Sequence, residues 1–152
     1  MESQEPYLAE PKDKRILIVD DDEDLRNLLE LGAQQEGFQV ATAVDGAMAV
    51  KVIAEFHPDL IITDLMMPGR GGYELIRHLQ GTEHVAVPVI VITARKLDES
   101  TKEMFFREGN VVQVLIKPLP LKTFTLTLHH ILRTNPTQVE RPRGINDRPD
   151  CR

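Results

Sequence analysis

Asp20, Asp21, Asp64, Thr93 and Lys117 share one setting, because each stands at the end of a short apolar run. Ile16–Val19 leads into Asp20, Asp21 and Asp22, and Leu60–Thr63 leads into Asp64. Val89–Ile92 leads into Thr93, and Val111–Ile116 into Lys117 and Pro118. Short runs of β-branched and aliphatic residues are the pattern of parallel strands buried on both faces. In such sheets ligands bind beyond the carboxyl ends of the strands. If the four runs are neighbours, acids, a hydroxyl and an ammonium meet in one crevice. That crevice suits a divalent cation and a phosphate. Without a cation it is costly, since two carboxylates ~4 Å apart repel by ~4 kcal/mol at an effective dielectric of ~20.

The elements that must position these groups alternate along the chain. After Ile16–Val19 a helical pattern carries Leu25, Leu28, Leu29 and Ala33 on one face, and Gly37 closes it. A strand over Phe38–Ala43 follows, then Asp45 caps a helix with Ala49, Val52, Ile53 and Phe56 that stops before Pro58. Beyond Asp64 a tight loop with Pro68, Gly69, Gly71 and Gly72 enters a third helix, with Leu75, Ile76 and Leu79 inward. Pro88 opens the strand to Thr93. Asp98 or Ser100 starts a fourth helix with Met104 and Phe105 as core residues. Val111–Ile116 is the fifth strand and Leu121–Leu132 the last helix. Five strand-then-helix units make an α/β, doubly wound, five-stranded parallel sheet of order 2-1-3-4-5, the flavodoxin-like arrangement.

Bulk properties exclude several classes. The net charge of −6 opposes general binding to a nucleic-acid backbone, and no apolar stretch is long enough for a membrane span. The N-terminal segment MESQEPYLAEPKDK lacks the basic-then-apolar order of a secretory signal. With Cys151 as the one cysteine there is neither an internal disulfide nor a cysteine-based zinc site, and a reducing cytoplasm is expected. Met1–Asp13 reads as a loose arm, and Thr134–Arg152, with Pro136, Pro142 and Pro149, as a disordered tail. Arg141, Arg143, Arg148 and Arg152 could make that tail a docking peptide. His57, His78, His84, His129 and His130 show no ligand spacing and read as surface or boundary residues.

The segments ILIVDDDEDLR, PDLIITDLMMPG, VIVITA and LIKPLP resemble, in order and separation, the signatures of the response-regulator receiver domain of two-component signalling. The resemblance covers roughly Lys14 to Arg133. It implies that Asp64 accepts a phosphoryl group from a histidine kinase or phosphotransfer protein, as a carboxylate nucleophile. It implies Mg²⁺ held by Asp21 directly, by Asp20 through water, by Asp64 and by the Met66 backbone carbonyl, an oxygen set suited to that ion. Lys117 would pair with the phosphoryl oxygens and Thr93 hydrogen-bond one of them, while Ala94 leaves room. Pro118 permits the cis Lys-Pro peptide the family uses to aim the lysine. Met66 and Arg95 would tune decay of the phosphorylated form, Met66 by shielding it from water and Arg95 by adding positive charge. The reading is a stand-alone switch, not an enzyme with an external substrate. Its output is to an unknown protein partner, or to a second copy in a homodimer, through the face of the fourth helix, fifth strand and fifth helix.

The chain departs from the family in two places. Val114 occupies the position, three before the lysine, where an aromatic residue is usual. The stretch from Gly109 to Lys117 is one residue longer than common, so a bulge or a displaced loop is expected. Both favour an alternative: a receiver-like docking module whose output is independent of phosphorylation. A phosphohydrolase of the haloacid-dehalogenase type, prompted by Asp20-x-Asp22, is opposed by Asp24 in place of a threonine or valine and by the lack of room for a cap.

Overall fold

The computed structural model describes residues 8–65, 71–94, 97–107 and 110–136. Five parallel strands, β1 (Arg15–Val19), β2 (Gln39–Ala43), β3 (Leu60–Asp64), β4 (Val89–Thr93) and β5 (Val111–Ile116), lie in the order β2-β1-β3-β4-β5. The helices are α1 (Glu23–Gln35), α2 (Gly46–Phe56), α3 (Gly72–Leu79), α4 (Glu99–Arg107) and α5 (Leu121–Leu132). This is the expected doubly wound order. None of the described helices is long and apolar enough to cross a membrane.

Alternation along the strands sorts the core into two layers. Leu17, Val19, Ile61, Val89 and Val91 face α2, α3 and α4, where Ile53, Leu75, Ile76 and Phe105 meet them. Ile16, Ile18, Leu60, Ile62, Ile90 and Ile92 face α1 and α5, against Leu29, Ala33, Phe124 and Leu128. Strands covered on both sides need apolar residues at every position, which is why they read as unbroken runs.

Local chemistry sets the helix ends. The Asp22 carboxylate accepts from Leu25 N–H at the start of α1, and that of Asp45 from Met48 N–H at 2.9 Å at the start of α2. Asp98 does the same for α4 through Thr101 N–H at 2.8 Å. Gly37, just past α1, has φ 100°, a conformation that glycine takes without a Cβ clash. Replacing the cap in Asp45→Ala should cost about 1 kcal/mol, read as a lower denaturant midpoint with an unchanged slope.

Several expectations need correction. Leu28 is exposed, because the buried stripe of α1 runs through Leu29, Gly32 and Ala33 and Leu28 lies off it. Met104 is exposed as well, since Phe105 alone fills the core position of the short α4. His129 is buried, not superficial: its ring nitrogens lie 2.7 Å from Glu36 Oε1 and 2.7 Å from Thr134 Oγ1. Of the expected arm and tail only residues 8–13 and 134–136 are described, and these two stretches meet. Ala9 N–H donates to Arg133 O at 3.0 Å, Ala9 bridges Thr134, and Thr134 is buried. A short 3₁₀ turn over Pro11–Asp13 then joins the arm to β1. The segments before residue 8 and after 136, with Cys151 and the tail arginines, lie outside the described residues.

The extra residue before Lys117 is absorbed by a bulge. Val89 pairs with Val111 but Ile90 pairs with Gln113, so Val112 is the residue set aside. A one-residue slip would turn every later side chain to the wrong face. The bulge prevents that: Val114 keeps its place against the α4-side layer and Leu115 against the other. Thr93 then pairs with Ile116, and Lys117 follows at the rim.

Candidate functional site

Strand register brings the acids together. Val19 pairs with Thr63, so Asp20 and Asp64 leave neighbouring strands at the same level. Ligand oxygens of Asp20, Asp21 and Asp64 all lie within 4.8 Å of one another. Asp20 and Asp64 are buried and Asp21 is exposed at the rim. From β5, Lys117 Nζ reaches Asp64 Oδ2 at 3.2 Å and Asp20 Oδ2 at 3.4 Å. Lys117 N–H donates to Thr93 O at 2.8 Å, which ties the lysine backbone to the end of β4. The Lys117-Pro118 peptide is cis. Thr93 is buried beside this rim and Ala94, next to it, is exposed. Met66 and Arg95 lie outside the described residues.

Asp20 is held on several sides. Its N–H donates to Ala43 O at 3.1 Å, and its Oδ1 accepts from Asp22 N–H at 2.9 Å. Arg26 Nη1 donates to the Asp20 carbonyl at 2.8 Å. Sequence reasoning missed Arg26: its position four residues past the cap Asp22 is ordinary for a surface helix, and no motif marks it. Gly72 was also missed as a positioning residue. A Cβ there would press on the Asp64 carbonyl oxygen and stand 3.1 Å from Leu65 Cα, so α3 approaches the end of β3 only because residue 72 has no side chain. Gly72→Ala should therefore lower stability by about 1–3 kcal/mol. A displacement of Asp64 on the order of 1 Å would slow phosphoryl uptake about 100-fold; denaturant melts and a rate assay would register the two losses.

Electrostatics follow from burial and proximity. Burial pushes the Asp20 carboxyl above its usual value, and the neighbouring Asp64 adds to this. The Asp22 N–H and Lys117 oppose the rise without cancelling it. For Lys117 burial favours the neutral amine, but the hydrogen bond from Nζ to Asp64 and the charges of both acids outweigh it, and its pKa is raised.

Because Asp20 has a higher pKa folded than unfolded, the folded state binds the proton more tightly. Stability then falls as pH rises from 3.8 through the folded pKa, and the cost persists at neutral pH. Asp20→Asn keeps an acceptor for Asp22 N–H and removes that charge. It should raise Tm by a few degrees in EDTA at pH 7, with no gain below pH 3.8.

Three carboxylates and one ammonium leave two negative charges in a cleft lined by oxygen donors. That donor set and charge fit a hard divalent cation such as Mg²⁺. The family model described as the response regulator receiver domain matches residues 16–129. The chain belongs to this family.

Response-regulator receivers are the phosphoacceptor switch domains of two-component systems, and they generally bind Mg²⁺ in an acidic pocket. Among curated relatives, the transcriptional regulatory protein PrrA of Mycobacterium bovis is 37% identical over 120 residues, which are 78% of this chain and 50% of PrrA. The DNA-binding response regulator MtrA of Mycolicibacterium smegmatis is 31% identical over 134 residues, 88% of this chain and 57% of MtrA. The chain thus spans about half the length of these relatives. Among solved structures, the chemotaxis response regulator CheY4 of Vibrio cholerae superposes with TM-score 0.72 at 27% identity, covering 78% of this chain and 98% of that one. The NtrX receiver domain of Brucella abortus gives 0.70 at 27% identity, covering 79% and 99%.

Proposed function

We propose that the segment Lys14 to Arg133 is a Mg²⁺-dependent phosphoacceptor switch in which Asp64 takes the phosphoryl group of a histidine kinase or phosphotransfer protein. The observation that carries this reading is the convergence of Asp20, Asp21, Asp64 and Lys117 at one rim, with Nζ 3.2 Å from Asp64 Oδ2. An Asp64 carboxylate oxygen attacks phosphorus, the bond from phosphorus to the donor nitrogen breaks, and an acyl phosphate remains on Asp64. Lys117 moves from bridging two carboxylates to holding the transferred phosphoryl oxygens, so its charge is already in place when negative charge arrives. Thr93 hydrogen-bonds a phosphoryl oxygen and Ala94 leaves space for the group. Asp21 and the Met66 carbonyl would hold Mg²⁺ directly beside Asp64, and Asp20 through a water; the ion would offset the charge on the carboxylates and the phosphoryl oxygens.

Phosphorylation shifts a two-state equilibrium around Thr93 and the loop after it. Output passes to a protein partner or a second copy through α4, β5 and α5. These elements expose Phe106, Val112, Ile116 and Leu126, apolar side chains available to such a partner. Val114 has no ring to swing inward, so Thr93 is coupled to that surface by the Thr93–Ile116 pairing and the Lys117 backbone instead. The chain acts in the cytoplasm, without nucleic-acid contacts of its own.

The test is incubation with Mg²⁺ and acetyl phosphate, followed by intact mass. One added phosphoryl group in Mg²⁺, and none in EDTA, is the expected result. Equal uptake with and without Mg²⁺ would refute the reading.

A further inference from the structure

The fold brings together two histidines that are far apart in sequence. His57 Nδ1 and His84 Nε2 are 3.4 Å apart, and His84 Nε2 is 3.8 Å from Glu83 Oε2. The three residues each offer a ligand atom within 4.8 Å of the others. The expectation that the histidines share no ligand arrangement fails here, because His57 ends α2 while His84 sits in the turn between α3 and β4. The two rings also stack, with centroids 5.5 Å apart and planes 29° from parallel. A nitrogen-to-nitrogen distance of 3.4 Å is long for a hydrogen bond, for which ~2.9–3.0 Å is usual. Two ligands at ~2.0–2.1 Å from a tetrahedral ion stand roughly 3.4 Å apart.

Both backbones are fixed independently of any ion. His57 caps α2 at φ 52°, its N–H donating to Ile53 O at 3.1 Å. His84 N–H donates to Thr82 Oγ1 at 3.0 Å, and Val87 N–H to His84 O at 3.1 Å. The His84 side chain is only 13% exposed, and Glu83 is 76% exposed and can swing the short distance needed. A cavity of about 310 Å³ lined by Ile53, Thr82, Glu83 and His84 adjoins them and leaves room for a water ligand.

We propose that His57, Glu83 and His84 form a second cation site, for Zn²⁺, with water in the fourth position. Two imidazoles and one carboxylate select a borderline-soft ion over Mg²⁺. His57 and His84 precede β3 and β4, whereas Asp64 and Thr93 end them, so this site lies at the opposite end of the strands from the acids. Zn²⁺ there staples the end of α2 to the α3–β4 turn.

The test titrates the full chain with Zn²⁺ in excess Mg²⁺, which fills the acidic cleft. His57→Asn is chosen because asparagine tolerates positive φ, and His84→Gln accompanies it. About one equivalent should bind the wild-type chain, with affinity at least about tenfold weaker in either variant. Zn²⁺ should raise Tm in the wild type alone, while both variants keep the wild-type melt in EDTA and wild-type uptake from acetyl phosphate. Co²⁺ in place of Zn²⁺ should give tetrahedral visible absorption that His84→Gln abolishes. Absence of Zn²⁺ binding, or binding equal in wild type and both variants, would overturn the site.

Discussion

Asp64→Asn should fold normally and take up no phosphoryl group from acetyl phosphate, a loss of about 10⁴-fold or more in rate. The reasoning is chemical. An amide oxygen carries no full charge and is a poor nucleophile toward phosphorus, and no neighbouring carboxylate stands in the same place. Asp20 is turned by its bond from Asp22 N–H and by Lys117, and Asp21 is at the exposed rim. Asparagine has nearly the same volume, so the packing of β3 against α3 survives. A time course of intact mass for the two proteins measures the difference. Comparable uptake by the variant would place the chemistry elsewhere.

Lys117→Met should slow the same uptake by about 10²–10³-fold, the usual effect of removing one preorganised donor to developing charge. It should also lower stability in EDTA by about 2 kcal/mol, because Asp20 and Asp64 lose their shared counter-charge inside a poorly solvated cleft. The lysine pKa is raised in the fold, so its contribution is fully present below 10.5 and is lost only as pH climbs through the higher folded value. The wild-type advantage over Lys117→Met should therefore hold across neutral pH and shrink only in strong alkali. Urea melts at several pH values would show this, and a constant difference through the alkaline range would contradict it.

The sheet was legible because β1, β3 and β4, buried on both faces, leave continuous apolar runs that end on charged or hydroxyl residues, and the half-exposed edge strand β5 keeps enough of the pattern to lead into Lys117. Their neighbours were legible in turn, since connection rules leave few orders for five strand-helix units. Residues whose role depends on another element were not. Arg26 matters through the Asp20 carbonyl, Gly72 through the close approach of α3 to β3, and His129 through Glu36, 93 residues away. Helix faces were misread at Leu28 and Met104, where a leucine or methionine beside the buried stripe looks the same as one within it. The extra residue before Lys117 announced a bulge or a displaced loop. Pairing with β4 chose the bulge, at Val112, because only that keeps Val114 and Leu115 on their own sides.

In the proposed mechanism the Asp64 oxygen beside Lys117, at the end of β3, receives phosphorus. Borohydride reduces an aspartyl phosphate to homoserine, so treating the phosphorylated chain and sequencing its peptides by mass spectrometry locates the modified residue. Homoserine at position 64, and at no other aspartate, is the predicted outcome. Homoserine at position 20 or 21, or phosphate retained on a histidine or serine, would rule out Asp64 as the acceptor.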